Sequence, residues 1–360
     1  MLVIEKIINA NLRDALADIV YQIEIKSDFS ICHPLYKPLE IDEEARERFQ
    51  KLPEPMQQKY LGLQLRGFLY GIYYNGSLKA SLALDTDAQN LPQDLENNTV
   101  LGMDVAFYEQ LDQSNKGSGY FDAGWQVLRE ETDGSLAVTK GGLRLHIQRD
   151  KHLQPEQKMA VVGDRVKIKL PKNRVQSGFY MAVGNEGFSR AEETQLPDAT
   201  VRVYFNFSPD GAAAVMACVT EQLNERKIPF SFKVLYNPKD YQRHDSGVLY
   251  FDKQDYQTVR EILAAIYQET QTYFKPEIPL FTLELAKGLG LAEEPAHRFS
   301  EQESFGTHRC QIIANGLLAA WYQSDNSPEG RMKAILEQFA GLGIDLERPY
   351  LNGGSEDVYL

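Results

Sequence analysis

Arg202 and Tyr204 stand two apart in the run 201–207, Lys233 lies in the run 230–235, and Tyr250 lies in the run 248–251. A polar loop, residues 239–247, precedes the last run and holds Arg243 and His244. Arginine grips a phosphate or carboxylate through two parallel N–H bonds. A neutral lysine amine can take a proton, and a tyrosine hydroxyl can give one. Brought together, these groups make an oxyanion or phosphate pocket with an amine base in it. On a solvated sheet face the same Lys and Arg residues are ordinary, and the pattern alone leaves both readings open. Farther on, His308 and Arg309 fall near the start of a helix expected to run to about residue 322, where backbone N–H groups and the dipole favour an anion.

The elements that would position these residues follow from periodicity. Successive side chains on a strand point to opposite faces. Val203, Phe205 and Phe207 therefore share one face, and Arg202, Tyr204 and Asn206 the other. In the next strand Phe230, Phe232 and Val234 oppose Ser231, Lys233 and Leu235. Between the two, Ala212, Val215, Met216, Val219 and Leu223 recur at helical spacing. Residues 201–251 thus read as strand, helix, strand, loop, strand, with an arginine, a tyrosine and a lysine on one side of a small sheet.

The whole chain sets limits. Its 360 residues are 43% hydrophobic and 11% aromatic, enough for one large domain or two, with ordinary cores. A formal net charge of −13 argues against a broad nucleic-acid surface but leaves room for a local basic pocket. Cys32, Cys218 and Cys310 are widely separated, with no zinc spacing, and point to a reducing, cytoplasmic setting. The N-terminus lacks a signal-peptide layout. No run approaches the roughly 18–20 apolar residues of a membrane span.

In chain order, apolar spacing predicts helices over 1–26, 41–50 and 56–74, the second with Asp42 as N-cap and the third rich in tyrosine (Tyr60, Tyr70, Tyr73, Tyr74), which reads as packing. Residues 84–98 read as an acidic loop and 107–111 as a short helix. From 121 the texture turns to β, with strands near 125–130, 136–139, 143–147, 163–170 and 179–184. Residues 192–197 read as a polar connection, which places a domain boundary at 195/196. Helices are expected over 254–272 and 329–339, a long irregular run over 275–302, and a flexible tail around Asn352-Gly353-Gly354.

As an ordered set, Gly178-Phe179-Tyr180-Met181-Ala182-Val183-Gly184, Arg202-Val203-Tyr204-Phe205-Asn206, Phe232-Lys233-Val234-Leu235, residues 243–250 and Glu303-Ser304-Phe305-Gly306-Thr307-His308-Arg309-Cys310 resemble the HopA-type effector family. Relatives of that family occur as stand-alone lyase proteins in class V lanthipeptide and thioamitide-type peptide modification. More distantly the chain is similar to phosphothreonine lyases. The resemblance covers about residues 165–322. It implies that Lys233, followed by Val234, is the general base of a β-elimination. Arg202-x-Tyr204 stands where those lyases carry a basic-x-histidine pair, so Tyr204 takes the histidine's place and the general acid is left open among Tyr204, Tyr250, His244 and His308. Arg202, Arg243, Tyr250 and Arg309 are the implied phosphate contacts. No metal and no cofactor is called for.

The sequence predicts an α+β protein. A helical and β-rich region, 1–195, precedes a lyase-like domain, 196–360, of a small sheet flanked by helices. The expected reaction removes phosphate from phosphorylated Ser or Thr of a precursor peptide to leave a dehydroamino acid, with a separate kinase-like partner and neither nucleic acid nor membrane. The alternative is a non-catalytic phosphopeptide- or partner-binding module, or an effector-like interaction protein.

Overall fold

The structure, a computed structural model, describes residues 9–41, 43–84, 99–100, 102–188, 200–300 and 303–360. The expected N-cap at Asp42, most of the loop 84–98, the connection 192–197 and the first turns of the first helix lie outside them. The helix Ala10–Gln22 is capped by Asn9, whose side chain accepts the Leu12 N–H at 3.2 Å. Its buried positions Leu12, Leu16, Ile19 and Val20 form one stripe. Strands β1 (Glu24–Ile25), β2 (Ile31–His33) and β3 (Tyr36–Leu39) make a small antiparallel sheet. The helices Glu43–Gln50 and Glu54–Leu69 follow, and the second runs on into a π-helical turn, Tyr70–Tyr74. Next come the pair β4 (Thr99–Val100) and β5 (Met103–Asp104) and the helix Val105–Ser114. A three-stranded meander, β6 (Tyr120–Glu130), β7 (Leu136–Lys140) and β8 (Leu143–Ile147), extended on the β6 side by β9 (Arg165–Leu170), packs around its own core of Trp125, Val127, Leu136, Val138, Ile147, Val166 and Ile168.

The central element is an antiparallel sheet built from β10 (Asn173–Gln176), β11 (Phe179–Val183), β12 (Thr200–Phe205), β13 (Phe230–Leu235), β14 (Gly247–Asp252), β15 (Leu283–Ala286) and β16 (Leu289–Glu293). Its order is β10-β11-β13-β14-β12-β16-β15, so β14 is the middle strand. One face carries Val203, Phe205, Phe232, Val234, Leu249 and Phe251, all buried. The helix Pro209–Glu225 packs on β13 and against the helix Tyr256–Thr270. Toward the other face come the helix Phe305–Tyr322 and the π-turn, both of which reach Tyr204 with an aromatic ring. At the crossing of Phe305–Tyr322 with Pro328–Gly341, a Cβ on Gly316 would meet the Ile335 backbone at 2.6 Å, so only glycine admits this approach.

An α+β fold results, as expected, with three corrections. The boundary at 195/196 falls inside the sheet, because β10 and β11 precede it and β11 pairs with β13 in unbroken register from Phe179↔Leu235 to Val183↔Ser231. The helices Ala10–Gln22 and Glu54–Leu69 and the π-helical turn also share one continuous core with that sheet. The irregular run 275–302 contains the hairpin β15–β16, turning at Gly288 with φ 73°. Finally, the tail is fastened. Glu293, 1% exposed, accepts the Asn352 N–H at 2.9 Å, Ser355 Oγ at 2.8 Å and Tyr359 Oη at 3.0 Å. A buried carboxylate must be satisfied, and the tail supplies the donors. No helix among the described residues is long and apolar enough to cross a membrane.

Candidate active site

Strand register brings the expected residues together. Arg202 lies opposite Tyr250, Tyr250 opposite Ser231, and both Tyr204 and Lys233 opposite Val248. Met181 lies opposite Lys233 on its other side. With a side-chain period of two, Arg202, Tyr204, Lys233 and Tyr250 therefore share one face, joined by Phe179 from β11. The cationic groups alternate with rings along it. Arg243 Cζ is 5.8 Å from the Phe179 ring centre, Lys233 Nζ is 4.7 Å from Phe179 and 5.4 Å from Tyr250, and Arg202 Cζ is 5.0 Å from Tyr250. Each ring offers its negative π-face to the cations beside it, which lets three like charges line one strip. Lys233 is half-buried and its Nζ makes no hydrogen bond or ion pair among the described residues.

The arginines are held differently. Arg202 forks onto both oxygens of Glu294, with Nη2–Oε1 at 2.6 Å, and Arg298 Nη2 reaches the same Oε1 at 2.6 Å. Burial opposes the charge on Arg202, but Glu294 outweighs it and holds the guanidinium protonated. Arg243 forks onto Asp245, with Nη2–Oδ2 at 2.8 Å, and Asp245 also accepts from Tyr70 Oη at 3.4 Å and Asn75 Nδ2 at 3.3 Å. Burial and Asp245 again oppose each other, and Asp245 wins. Each guanidinium thus spends one edge on a carboxylate and keeps Nη1 without a partner among the described residues. The forks fix the orientation of two of the implied phosphate contacts and reduce their net charge.

Tyr204 is 3% exposed, and its enclosed hydroxyl has the Tyr74 hydroxyl as its neighbour. Tyr74 is enclosed as well, and its ring meets Tyr204 edge-on at 6.3 Å. Burial raises both phenols, so each keeps its proton. The two hydroxyls lie beside each other, enclosed behind the strip.

Arg309 and His308 lie on the helix Phe305–Tyr322, behind Tyr204, where the charge of Arg309 interacts with Tyr204 and Tyr74. Arg309 is 0% exposed and donates from Nε to Pro349 O at 3.0 Å, from Nη2 to Leu351 O at 2.8 Å and from Nη1 to His308 Nδ1 at 2.7 Å. Its guanidinium staples the tail instead of projecting from the sheet face, and burial pushes it down to about 10. Burial, then Arg309, push His308 down to about 3, so its ring is neutral near pH 7 and supplies no imidazolium acid. His244, next to Arg243 in the loop, lines a cavity that Arg243 does not line.

Sequence reasoning missed Glu294, Asp245, Phe179, Tyr70 and Tyr74. Asp245, two residues from Arg243, was a readable signal. Glu294 was not, because only the pairing of β16 on β12 brings it to Arg202. Tyr70 and Tyr74 were visible as a tyrosine cluster but carried no sign of a π-turn. Among the described residues no group of three or more His, Cys, Asp or Glu could hold a metal ion.

The HopA1 effector protein family model matches residues 170–351, just over half of the chain. Among solved structures, the effector protein from Pseudomonas syringae pv. tomato strain DC3000 is similar at 18% identity and a TM-score of 0.41. The effector protein from Pseudomonas syringae pv. syringae strain 61 is similar at 16% identity and a TM-score of 0.41. Each alignment covers 69% of this chain and 81% of the other. No curated protein matches this sequence.

Proposed function

This chain belongs to the HopA1 effector protein family, and we propose that its cation–aromatic strip is the active site of a carbon–oxygen lyase acting on phosphorylated Ser or Thr in a peptide. The supporting observation is Lys233, whose Nζ lies 4.7 Å from the Phe179 ring and 5.4 Å from the Tyr250 ring and makes no hydrogen bond or ion pair among the described residues. In its neutral form the amine takes the proton from Cα. The freed electron pair forms the Cα=Cβ bond, the Cβ–O bond breaks, and phosphate leaves with that bond's electrons. The unpartnered Nη1 edges of Arg202 and Arg243 stabilise the charge gathering on the phosphate oxygens. Tyr204 keeps its proton, but its hydroxyl is enclosed, so it acts as donor to the leaving oxygen only where substrate binding opens that space. Phosphate is already a tolerable leaving group, so this donor contributes modestly. The phosphorylated substrate would come from a separate kinase-like partner, in the setting of peptide natural-product modification.

A second reading has its own support. Because Arg202 and Arg243 are each forked to a carboxylate, the strip can hold a phosphopeptide without the charge needed to expel phosphate. Mass spectrometry of a phosphothreonine peptide incubated with wild type and with Lys233→Ala, alongside a binding titration, separates the two. A product lighter by phosphoric acid, made by wild type and lost in the variant while binding persists, is the expected result. Binding with no elimination by wild type at any pH from 6 to 9 would make the protein a binding module.

A further inference from the structure

The π-turn has two sides. Tyr74 faces Tyr204, while Tyr73 faces a separate cavity of about 410 Å³. The 243–245 loop divides likewise, with Arg243 on the strip and His244 lining that cavity. Asp18, His33, Ile72, Tyr73 and Glu284 are among the cavity's walls, so the first helix, the small sheet, the π-turn and β15 all contribute. One turn of helix and one loop therefore separate it from the proposed reaction site.

Its chemistry is that of a preorganised acceptor. Leu35 N–H donates to His33 Nδ1 at 3.1 Å, which puts the ring proton on Nε2. That Nε2 lies 3.1 Å from Tyr73 Oη, and Tyr73 Oη donates to Asp18 Oδ2 at 2.7 Å. The Asp18 carboxylate is thus fixed by two groups, yet Oδ1 has no partner among the described residues. Glu277 and Glu284 likewise have no Lys or Arg within ion-pair distance among the described residues. Asp18, Glu277 and Glu284 line the cavity together with a single lysine, Lys79, and with His33 and His244. Apolar walls of Ile72, Ile278 and Leu280 suit the methylene stem of a long basic side chain, which buries its stem and keeps its charge at an acceptor. Tyr36 and Tyr73 add ring faces for a cation.

We propose that this cavity is a specificity pocket that takes the guanidinium or ammonium end of a basic residue in the peptide substrate, beside the phosphorylated residue at the strip. The pocket gives the N-terminal helices a role in substrate choice. It rests on the peptide-substrate reading above, but not on turnover.

The test is fluorescence anisotropy at low salt with the full chain and two labelled, non-phosphorylated decapeptides. One carries arginines, and the other carries citrulline, the neutral isostere, at the same positions. Wild type is expected to bind the arginine peptide about tenfold more tightly, and Asp18→Asn with Glu284→Gln to bring the two affinities within about twofold. Glu284 is exposed and neither replacement changes side-chain size, and an unchanged thermal midpoint checks that the variant is folded. Equal affinities for the two peptides in wild type, or a preference that survives in the folded double variant, would overturn the proposal. A preference without any phosphate elimination would leave the pocket standing and sink the lyase.

Discussion

His308 and Arg309 show how a residue's surroundings can displace the role its type invites. Both are buried, and the short contact between them requires His308 to accept, which it does only as the neutral ring. The folded histidine is pushed down to about 3, whereas an unfolded one titrates near 6.5. Between those values the unfolded chain binds a proton that the native chain refuses. Stability contributed by this group is therefore present above about pH 6.5 and is lost as pH falls toward 3, by at most about 1.4 kcal/mol per pH unit. Urea midpoints at pH 7, 6 and 5 should fall in wild type and fall less in His308→Asn, and equal slopes would show that His308 is not the titrating group. Glu303, which burial raises, acts in the opposite sense, so the difference between the two proteins is the useful quantity. At this scale strand alternation paired Arg202 with Tyr204 and set Lys233 against the apolar face of its strand, whereas Tyr250 came from the resemblance and joins them through the pairing of β12 and β13 on β14. Arg309 could not be placed that way, since its partners are carbonyl groups of the tail some 40 residues later.

At the scale of elements, helices were legible wherever apolar residues recur at three and four, as in Ala10–Gln22, Pro209–Glu225 and Tyr256–Thr270. The hairpin β15–β16 was not, because β16 is buried on both faces and shows no alternation, and the turn glycine lies in a run already rich in Gly and Pro. The π-turn was equally hidden, since tyrosines at 70, 73 and 74 satisfy ordinary helical spacing too. The turn depends on the close approach of the helix Phe305–Tyr322. A Cβ on Gly306 would stand 2.2 Å from a Tyr74 ring carbon, while one on Gly67, in the helix that leads into the turn, would meet nothing within 4 Å. Two identical substitutions should therefore have opposite signs. Gly67→Ala is expected to raise stability by up to about 1 kcal/mol through helix propensity. Gly306→Ala is expected to lower it by about 1–3 kcal/mol, since Tyr74 must move and overpacking outweighs propensity. Thermal midpoints of the two variants decide this, and a stabilised Gly306→Ala would mean that Tyr74 is not locked against that helix.

For the whole molecule, the question is which parts can be parted from the rest. The match to the family begins at residue 170, where the central sheet begins. A chain cut there nevertheless would lose Leu12, Leu16, Leu61, Leu65, Phe68 and Tyr74, which belong to the same core as Tyr204, Phe305 and Leu317. The meander together with β9 is the opposite case. It has a core of its own, and its entry and exit residues, Tyr120 and Leu170, are paired neighbours in β6 and β9. The chain thus leaves and returns at one point, so a short Gly-Ser turn can span the gap left by residues 121–169. Excision of the meander should preserve a single cooperative thermal transition and the response of the strip to a phosphopeptide, because no strip residue lies within it. Truncation to 170–360 should abolish cooperative unfolding and expose apolar surface to a hydrophobic dye. Circular dichroism melts of the two proteins give the answer. A cooperative melt from the truncated chain would mean that the sheet folds alone and that the N-terminal helices are an attachment. The opposite pair of outcomes makes them part of the site, because the π-turn that backs Tyr204 then exists only where those helices share its core.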